Sequence, residues 1–335
     1  MIAKVATTLG QLMVVGFDGV AMTQTLRALI TDLRLGGLVL FQRNVQSPTQ
    51  LHQLIADAQQ VAHDAGLPPL LICIDQEGGR VARLRAEHGF TEFPSARDVA
   101  VSGIAAVKQN ALAMAHEMRD VGINVELAPV LDVNNNPNNP VIGDRSFGDD
   151  ASLVAACGVA FIETMQGAGI LCVGKHFPGH GDVAVDSHIG LPVVPHARAR
   201  LNEVEFEPFK AAIAAGVGGI MSAHVAFPEI EPSGLPATLS PNVMTTLLRA
   251  ELCYPGLLFT DSLEMGALSA NGYPVPIASA TALQAGADVL LFNSSDALHR
   301  QAHAEMCAWV ERGDISHERI SAAVQRVNAA KHGLM

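Results

Sequence analysis

Short apolar runs recur along this chain, separated by segments long enough to hold one or two helices. Most of the runs are apolar on both faces, as expected of parallel strands that are covered on both sides. Between most of them, apolar residues recur at three- and four-residue spacing, which predicts amphipathic helices. The runs are Leu12–Phe17, Gly37–Phe41, Leu70–Asp75, Ile123–Val130, Ile170–His176, Gly219–His224, Gly256–Asp261 and Val289–Asn293.

Eight strand-like runs alternating with helical segments predict an α/β fold, a (β/α)8 barrel of the TIM type. An open, doubly wound sheet, arranged as two domains, is the alternative. No stretch resembles a linker, because the densest Asn/Pro segment, Asn134–Pro140, is short and leads directly into another motif. We therefore expect residues 1–335 to form a single barrel domain.

Three segments illustrate the helical pattern: Leu51–Ala65, Val107–Val121 and Glu205–Ala215. A further helix is predicted after Ser240, since serine is a good N-cap and Pro241 suits the first helical position.

Composition narrows the classes of function. Hydrophobic residues make up 49% of the chain and charged residues 16%, which excludes a disordered protein. With 21 Lys and Arg against 33 Asp and Glu, the net charge is −12, which argues against nucleic-acid and anionic-membrane partners. The five cysteines form no CxxC pair, and no signal peptide or membrane-length apolar run is evident. We expect a soluble, cytoplasmic protein.

Polar and charged residues stand where the apolar runs end. Active sites of parallel α/β proteins lie at the carboxyl ends of their strands. Any one strand-end aspartate can be a helix N-cap, but so many together predict a polar pocket. The strand-end residues are Asp75, Asp132, Lys175, His176, His224, Asp261 and Asn293.

The segment Gly174–His188 (GKHFPGHGDVAVDSH) concentrates titratable side chains on a loop that follows a buried strand. Asp186 and His188 are two residues apart, so on an extended segment both side chains lie on one face. A carboxylate beside an imidazole can fix its tautomer and raise its pKa, which suits a general acid and base. Metal binding is the alternative for this segment, although no HExxH or paired-cysteine pattern supports it.

Three further positions carry candidate chemistry. Asp75 opens the segment DQEGGRVARLR, whose arginines can pair with its acids or bind a ligand. Arg145 is either a ligand clamp or part of a structural ion pair with Asp144 or Asp149. Asp261 ends a strand, and a carboxylate there can attack the anomeric carbon of a sugar. No GxSxG, P-loop or GxGxxG motif occurs, which argues against a serine hydrolase, an NTPase and a dinucleotide-binding protein.

Taken together, several motifs resemble glycoside hydrolase family 3, and more narrowly its single-domain bacterial β-N-acetylglucosaminidases, the β-hexosaminidases of peptidoglycan recycling. The similarity runs from about Leu12 to Asn293, and KHFPGHG followed by DSH is its most specific part. The motifs are Ile74–Val81 (IDQEGGRV), Ile142–Phe147 (IGDRSF), Lys175–Gly181 (KHFPGHG), Asp186–His188 (DSH), Met221–Val225 (MSAHV) and Phe259–Leu268 (FTDSLEMGAL).

The resemblance implies a TIM-like barrel that hydrolyses a glycoside with retention of configuration. Asp261 would be the nucleophile, and His188, oriented and polarised by Asp186, would be the acid/base. The sugar-binding residues implied are Asp75, Arg83, Arg145, Lys175 and His176.

The implied substrate is N-acetylglucosamine β-linked to anhydro-N-acetylmuramic acid, with or without its stem peptide, in cytoplasmic peptidoglycan recycling. The implied roles are in cell-wall biogenesis, cell division and cell shape, and neither a metal nor an organic cofactor is expected. Three alternatives stay open: a β-GlcNAc phosphorylase of the same family, a non-catalytic sugar-binding barrel and a metal-dependent hydrolase. The oligomeric state is not set by the sequence. We hypothesise that the Gly-rich loop Gly179–Val185 moves to bring His188 over the glycosidic oxygen.

Overall fold

The computed structural model describes residues 8–184, 187, 190–293 and 296–334, and within them eight parallel strands form a barrel. Neighbouring strands pair in sequence order from β1 to β7, and β8 pairs with β1, with Met13 opposite Leu290. The strands are β1 (Met13–Val15), β2 (Gly37–Leu40), β3 (Leu71–Ile74), β4 (Val125–Glu126), β5 (Leu171–Phe177), β6 (Gly219–Ser222), β7 (Leu257–Thr260) and β8 (Leu290–Phe292).

Hydrogen bonds between β7 and the start of β8 close the barrel. Phe259 and Val289 form a parallel bridge, and the Thr260 N–H donates to the Val289 carbonyl at 2.9 Å. The predicted (β/α)8 barrel is therefore confirmed, and the open, doubly wound sheet is wrong.

Helices fill the connections between strands and cover the outside of the barrel. They are α1 (Gln24–Leu33), α2 (Pro48–Asp64), α3 (Ala96–Val101), α4 (Ile104–Val121), α5 (Ala151–Gly167), α6 (Arg198–Glu203), α7 (Glu207–Ala214), α8 (Gly266–Ser269), α9 (Val275–Ala285), α10 (Asp296–Arg312) and α11 (His317–Gly333), with a π-helix over Asn242–Glu251. The predicted cap at Ser240 is confirmed, because its Oγ accepts from the Val243 N–H at 3.1 Å. Within the described ranges, no helix is long and apolar enough to cross a membrane.

The strand β4 is much shorter than the apolar run that predicts it. The run continues to Val130, but the ladder stops at Glu126. Beyond Glu126 the carbonyls of Ala128 and Pro129 still accept from N–H groups of β5, and Val130 forms a bridge with Lys175. Pro129, however, has no N–H to donate to a ladder. The next residue, Leu131, lies against the carboxyl-terminal half of β5, and its N–H donates to the Lys175 carbonyl at 2.6 Å.

Aliphatic side chains from strands and helices form one large core, and Val130, Val141 and Ile142 form a small separate cluster. The aliphatic character of the core is consistent with the low aromatic content of the sequence. Cys73 and Cys172 lie in this core as free thiols, as the sequence predicts. Burial raises the pKa of both thiols, so they serve as small apolar side chains. A further group of charged side chains lies at the carboxyl ends of the strands, where the barrel opens.

Candidate active site

A cavity of about 290 Å³ opens at the carboxyl ends of the strands. Its apolar wall includes Val39, Phe41, Leu127, Met221 and Leu291. Its polar lining is Asp75, Glu77, Arg80, Arg83, Arg145, Lys175, His176, His180, Ser187, Asp261, Ser262 and Asn293. All five sugar-binding residues expected from the resemblance therefore border one cavity, together with Asp261.

Lys175 is the centre of the charge network in this cavity. Its side chain is 2% exposed, and its Nζ lies 2.7 Å from Asp75 Oδ1 and 2.6 Å from Glu77 Oε1. Arg83 adds a hydrogen bond from Nη2 to Asp75 Oδ2 at 3.1 Å. Burial alone would raise the pKa of Asp75, but Lys175 and Arg83 outweigh it and hold the pKa well below its usual range. Asp75 is therefore ionised.

Arg145 and Glu77 form a buried bidentate pair. Arg145 Nε donates to Glu77 Oε2 at 2.8 Å, and Nη2 donates to Oε1 at 2.8 Å. Burial opposes the charge on Glu77, but Arg145 and Lys175 lower its pKa to about 2. The ion pair of Arg145 with Asp144 or Asp149 is wrong, because Asp144 instead accepts from Arg80 Nε at 2.8 Å.

Glu77 borders the cavity, although its sequence position predicts no role of its own. The signal was present, since Glu77 lies two residues after Asp75 and side chains at that spacing share a face of an extended segment. What the sequence did not show was its partner, Arg145, which reaches it from a distant loop.

His176 is held from behind by Asp132. The His176 Nδ1 lies 2.7 Å from Asp132 Oδ2, and Asp132 Oδ1 accepts from the backbone N–H groups of His176 at 3.1 Å and His180 at 2.7 Å. Burial would raise the pKa of Asp132, but His176 and His180 lower it. A carboxylate only accepts, so the His176 Nδ1 carries a proton and the ring orientation is fixed. Asp132, expected on the pocket rim, is thus a fully buried support for it.

His180 also lines the cavity. Its Nε2 lies 3.1 Å from Ser187 Oγ, and its ring meets that of His176 edge-on at 5.5 Å between centroids. Burial and the neighbouring His176 lower the pKa of His180 to about 4, so the ring is neutral near pH 7. A neutral ring at this position can hydrogen-bond the Ser187 hydroxyl but adds no charge to the cavity.

Asp261 follows β7 and faces the same cavity. The Ser262 N–H donates to its Oδ1 at 2.7 Å, while no hydrogen-bond donor from the described part of the chain reaches Oδ2. Burial would raise the pKa of Asp261, but His224, His176 and the Ser262 N–H together lower it. The site therefore holds an ionised carboxylate with one oxygen fixed by the backbone.

Asp186 and His188, the candidate general acid/base pair, lie outside the described residues, as does Val185 of the loop thought to move. Ser187, which links the pair, is buried and borders the cavity. Its carbonyl accepts from the Ala267 N–H at 3.0 Å, just beyond Asp261 in the chain. The geometry of the pair and the loop movement stay predictions.

Among the residues that the structure describes, Asp182, His196 and Glu205 are the one group of His, Cys, Asp and Glu side chains close enough to share a metal ion. Only Asp182 belongs to the ligand set considered from the sequence. His196 Nε2 lies 2.5 Å from Asp182 Oδ2, and Arg200 Nη2 lies 3.2 Å from Glu205 Oε1. The guanidinium already supplies the positive charge between the two carboxylates, as in an ion-pair network.

An ionised carboxylate facing a polar cavity about the size of one sugar ring, at the carboxyl end of a (β/α)8 barrel, is an arrangement suited to a glycoside hydrolase. The sequence matches the family described as "Glycosyl hydrolase family 3 N terminal domain" over residues 4–330. The chain belongs to glycosyl hydrolase family 3.

Two curated bacterial proteins illustrate the similarity. The chain is 37% identical over 333 residues to "Beta-hexosaminidase A" of Pseudoalteromonas piscicida, covering 91% of this chain and 54% of that protein. It is 41% identical over 299 residues to "Beta-hexosaminidase" of Alkalilimnicola ehrlichii, covering 87% of this chain and 82% of that protein. This chain thus spans about half the length of the first relative and most of the second.

Solved structures agree with the fold. A family 3 β-N-acetylglucosaminidase from Paenibacillus sp. str. FPU-7 matches with a TM-score of 0.96 and 45% identity, covering 98% of this chain and 62% of that chain. A β-N-acetylhexosaminidase from Beutenbergia cavernae matches with a TM-score of 0.90 and 29% identity, covering 98% of each chain. The resemblance stated from the motifs is confirmed at the level of the family.

Proposed function

We propose that the protein is a retaining β-N-acetylglucosaminidase, which removes a terminal β-linked GlcNAc from its substrate. The observation that carries this proposal is Asp261, an ionised carboxylate with one oxygen fixed and the other facing the cavity. A cavity of about 290 Å³ suits a single sugar ring, and hence the end of a glycan chain. The names of the relatives support N-acetylhexosamine as that sugar.

Sugar hydroxyls would be bound by Asp75, Lys175, Arg83, Arg145 and His176. Asp75 and Lys175 offer an acceptor and a donor side by side at 2.7 Å. Arg83 also borders the cavity, and its Nη2 donates to Asp75 Oδ2 at 3.1 Å, which holds the guanidinium in place. Paired, preorganised charges of this kind orient a polar ligand without having to rearrange when it binds.

The reaction proceeds in two displacements. Asp261 Oδ2 attacks the anomeric carbon, the bond from that carbon to the glycosidic oxygen breaks, and His188 donates a proton to the departing oxygen. A covalent glycosyl-enzyme results. Water then attacks the anomeric carbon, His188 takes a proton from it, and Asp261 leaves as a carboxylate, so configuration is retained. Asp186 would polarise His188 in both steps.

The natural substrate we propose is GlcNAc β-linked to anhydro-N-acetylmuramic acid, with or without a stem peptide. The basic groups of Arg80 and Arg83 border the cavity and suit an aglycone that carries carboxylates. This substrate implies a cytoplasmic enzyme of peptidoglycan recycling, with roles in cell-wall biogenesis, cell division and cell shape. We further propose that residues 1–335 act as a single catalytic domain.

Hydrolysis of a defined set of β-GlcNAc disaccharides, with the anomeric product followed by NMR, tests this proposal. We expect release of the β-anomer of GlcNAc first, and preference for an anhydro-muramic aglycone. Inversion of configuration would contradict the mechanism. A parallel reaction in phosphate buffer distinguishes hydrolysis from phosphorolysis, since GlcNAc-1-phosphate would identify a phosphorylase.

Asp261→Ala should lower kcat/KM at least about 10³-fold for activated and poor leaving groups alike, because the nucleophile is required whatever leaves. Asp57→Ala, at a partly exposed position on α2, is the matched control and should retain full activity. Complete absence of turnover by the unmodified protein would favour a sugar-binding barrel, and loss of turnover with a chelator would favour a metal-dependent hydrolase.

A further inference from the structure

His224 is buried behind the cavity and helps to lower the pKa of Asp261. It is 0% exposed, follows the end of β6, and directs its ring toward the chain segment that follows β7. The His224 Nε2 lies 2.8 Å from the Ser262 carbonyl oxygen. Ser262 is the residue whose N–H holds Asp261 Oδ1 at 2.7 Å. The buried His224 imidazole therefore contacts the residue that directly follows the candidate nucleophile.

The other nitrogen of this imidazole also has a partner. The His224 Nδ1 lies 2.8 Å from Thr238 Oγ1, and Thr238 Oγ1 lies 3.0 Å from Ser222 Oγ. Ser222, Thr238 and Ser262 are all buried. We call these four residues, Ser222, Thr238, His224 and Ser262, the hydroxyl–imidazole chain.

We infer that Thr238 and His224 are positioning residues, which hold the peptide next to Asp261 so that its attacking oxygen faces the anomeric carbon. This inference rests on the proposed function, because it assumes that Asp261 is the nucleophile. The hydroxyl–imidazole chain links the end of β6 and the segment before the π-helix to the end of β7. It thereby fixes Asp261 relative to the neighbouring strands.

The donors and acceptors determine what each member can do. A carbonyl oxygen only accepts, so the His224 Nε2 must carry a proton. In a neutral ring the Nδ1 is then an acceptor, and the Thr238 hydroxyl donates to it. In a protonated ring the Nδ1 donates to Thr238 Oγ1, and the Thr238 hydroxyl turns to the Ala223 carbonyl at 3.0 Å. The Thr238 hydroxyl therefore satisfies the ring in both protonation states.

Two features indicate that the Thr238 hydroxyl does more than fill space in the core. A valine would fill the volume of Thr238, so the hydroxyl is not needed for shape. The Ala223 carbonyl already accepts from the Thr238 N–H at 3.2 Å, so it does not need the hydroxyl either. The requirement that the hydroxyl meets is the orientation of His224, and through it of Ser262.

The test is the rate of the glycosylation step in Thr238→Val. With enzyme in excess over 4-nitrophenyl β-N-acetylglucosaminide, a single turnover releases nitrophenolate at the rate of attack by Asp261. We expect this rate to fall about 10-fold, because small displacements of a reacting group are costly. The Kd for GlcNAc, measured by calorimetry, should stay within about twofold, since the sugar-binding residues are untouched.

Three variants are measured with it. Thr238→Ser keeps the hydroxyl and should restore the rate to within about threefold. Ser279→Ala removes a different fully buried hydroxyl, which donates to the Val275 carbonyl in α9, and serves as the matched control for stability. Thr238→Ala is the second hydroxyl-free variant. Rates are counted per GlcNAc-binding molecule, so partial unfolding does not lower them.

The outcomes separate the two proposals. If Asp261→Asn turns over at the unmodified rate, the proposed nucleophile is wrong. If Asp261→Asn is inactive while Thr238→Val and Thr238→Ala react as fast as Ser279→Ala, only the positioning role is wrong. A loss in Thr238→Val that Thr238→Ser does not restore also overturns it, because the hydroxyl would then not be the cause.

Discussion

At the scale of single residues, the candidate site is built from charges that are buried only because they are paired. Lys175 meets two carboxylates, and Glu77 meets both Lys175 and Arg145. A buried ion left without its partner is far more costly than an exposed one. Substitutions in this network should therefore change folding stability as well as ligand binding.

Arg145→Ala should raise KM about 10-fold and lower the free energy of unfolding by about 3 kcal/mol, because Glu77 would lose its bidentate partner. Urea denaturation and steady-state kinetics measure the two effects. Arg312→Ala is the control, since Arg312 pairs with Asp314 on the surface and should cost less than about 1 kcal/mol. An Arg145→Ala variant with a normal KM would remove Arg145 from the sugar-binding residues.

His188→Ala should impair hydrolysis of poor leaving groups much more than that of activated aryl glycosides. An activated aryl oxide departs without a proton, so the general acid matters less for it. Comparison of kcat/KM for 4-nitrophenyl β-GlcNAc and a β-GlcNAc disaccharide checks this prediction. Equal losses for both substrates would speak against an acid role in the first step.

At the scale of elements, the end of β4 carries an unusual group. Glu126 is fully buried, its Oε1 accepts from the Gln76 N–H at 2.9 Å, and its Oε2 has no hydrogen-bond partner within the described residues. Burial raises its pKa well above the usual value, which favours the neutral acid in the folded protein. Glu126 anchors the segment that begins at Asp75 through its hydrogen bond to the Gln76 N–H.

Glu126→Gln should therefore stabilise the protein near neutral pH. The unfolded chain releases the Glu126 proton above about pH 4.5 whereas the folded chain keeps it, so the unmodified protein loses stability as pH rises from there toward the raised pKa. The gap in unfolding free energy between Glu126→Gln and the unmodified protein should widen as the pH rises from about 4.5 toward the raised pKa of Glu126. Urea denaturation at three pH values measures it, and the exposed Glu229→Gln serves as control. A gap that does not change with pH would mean that Glu126 is ionised in the fold.

At the scale of the whole molecule, the opposite end of the barrel is covered by α11. Lys331 extends from this helix, is 2% exposed, and donates to Gln11 Oε1 at 3.1 Å. Gln11 in turn donates to the Arg34 and Leu35 carbonyls, so the last helix is tied to the segments that flank β1 and β2. Burial lowers the pKa of Lys331 to about 7.

The stability of the barrel should depend on pH through Lys331. Between about pH 7 and 10.5 the unfolded chain binds a proton that the folded chain does not, so stability rises with pH in that window. We expect the unmodified protein to gain about 1 kcal/mol per pH unit relative to Lys331→Met between pH 7 and 9. Denaturant unfolding at pH 7, 8 and 9 checks this. The exposed Lys108→Met should show no such trend, and a Lys331→Met gap that is constant with pH would refute the prediction.

The barrel was predictable from the chain because its physical cause is local. Eight apolar runs and the helical spacing between them show in any window of about ten to twenty residues, and strand ends mark the functional side of such a fold. Strand lengths were less predictable. The run after Ile123 predicts one strand as far as Val130, but its ladder stops at Glu126 and Pro129 cannot donate to extend it.

The sequence by itself determined the fold class, the end of the barrel that carries the site, and most of the polar residues that border the cavity. Only the tertiary structure decided how those residues are paired. Glu77 rather than Asp144 meets Arg145, Asp132 stands behind His176 rather than on the rim, and His224 reaches Ser262 instead of the cavity. The physical reason is that charge pairing and hydrogen bonding depend on distances of about 3 Å between residues far apart in the chain, and only the closed barrel sets those distances.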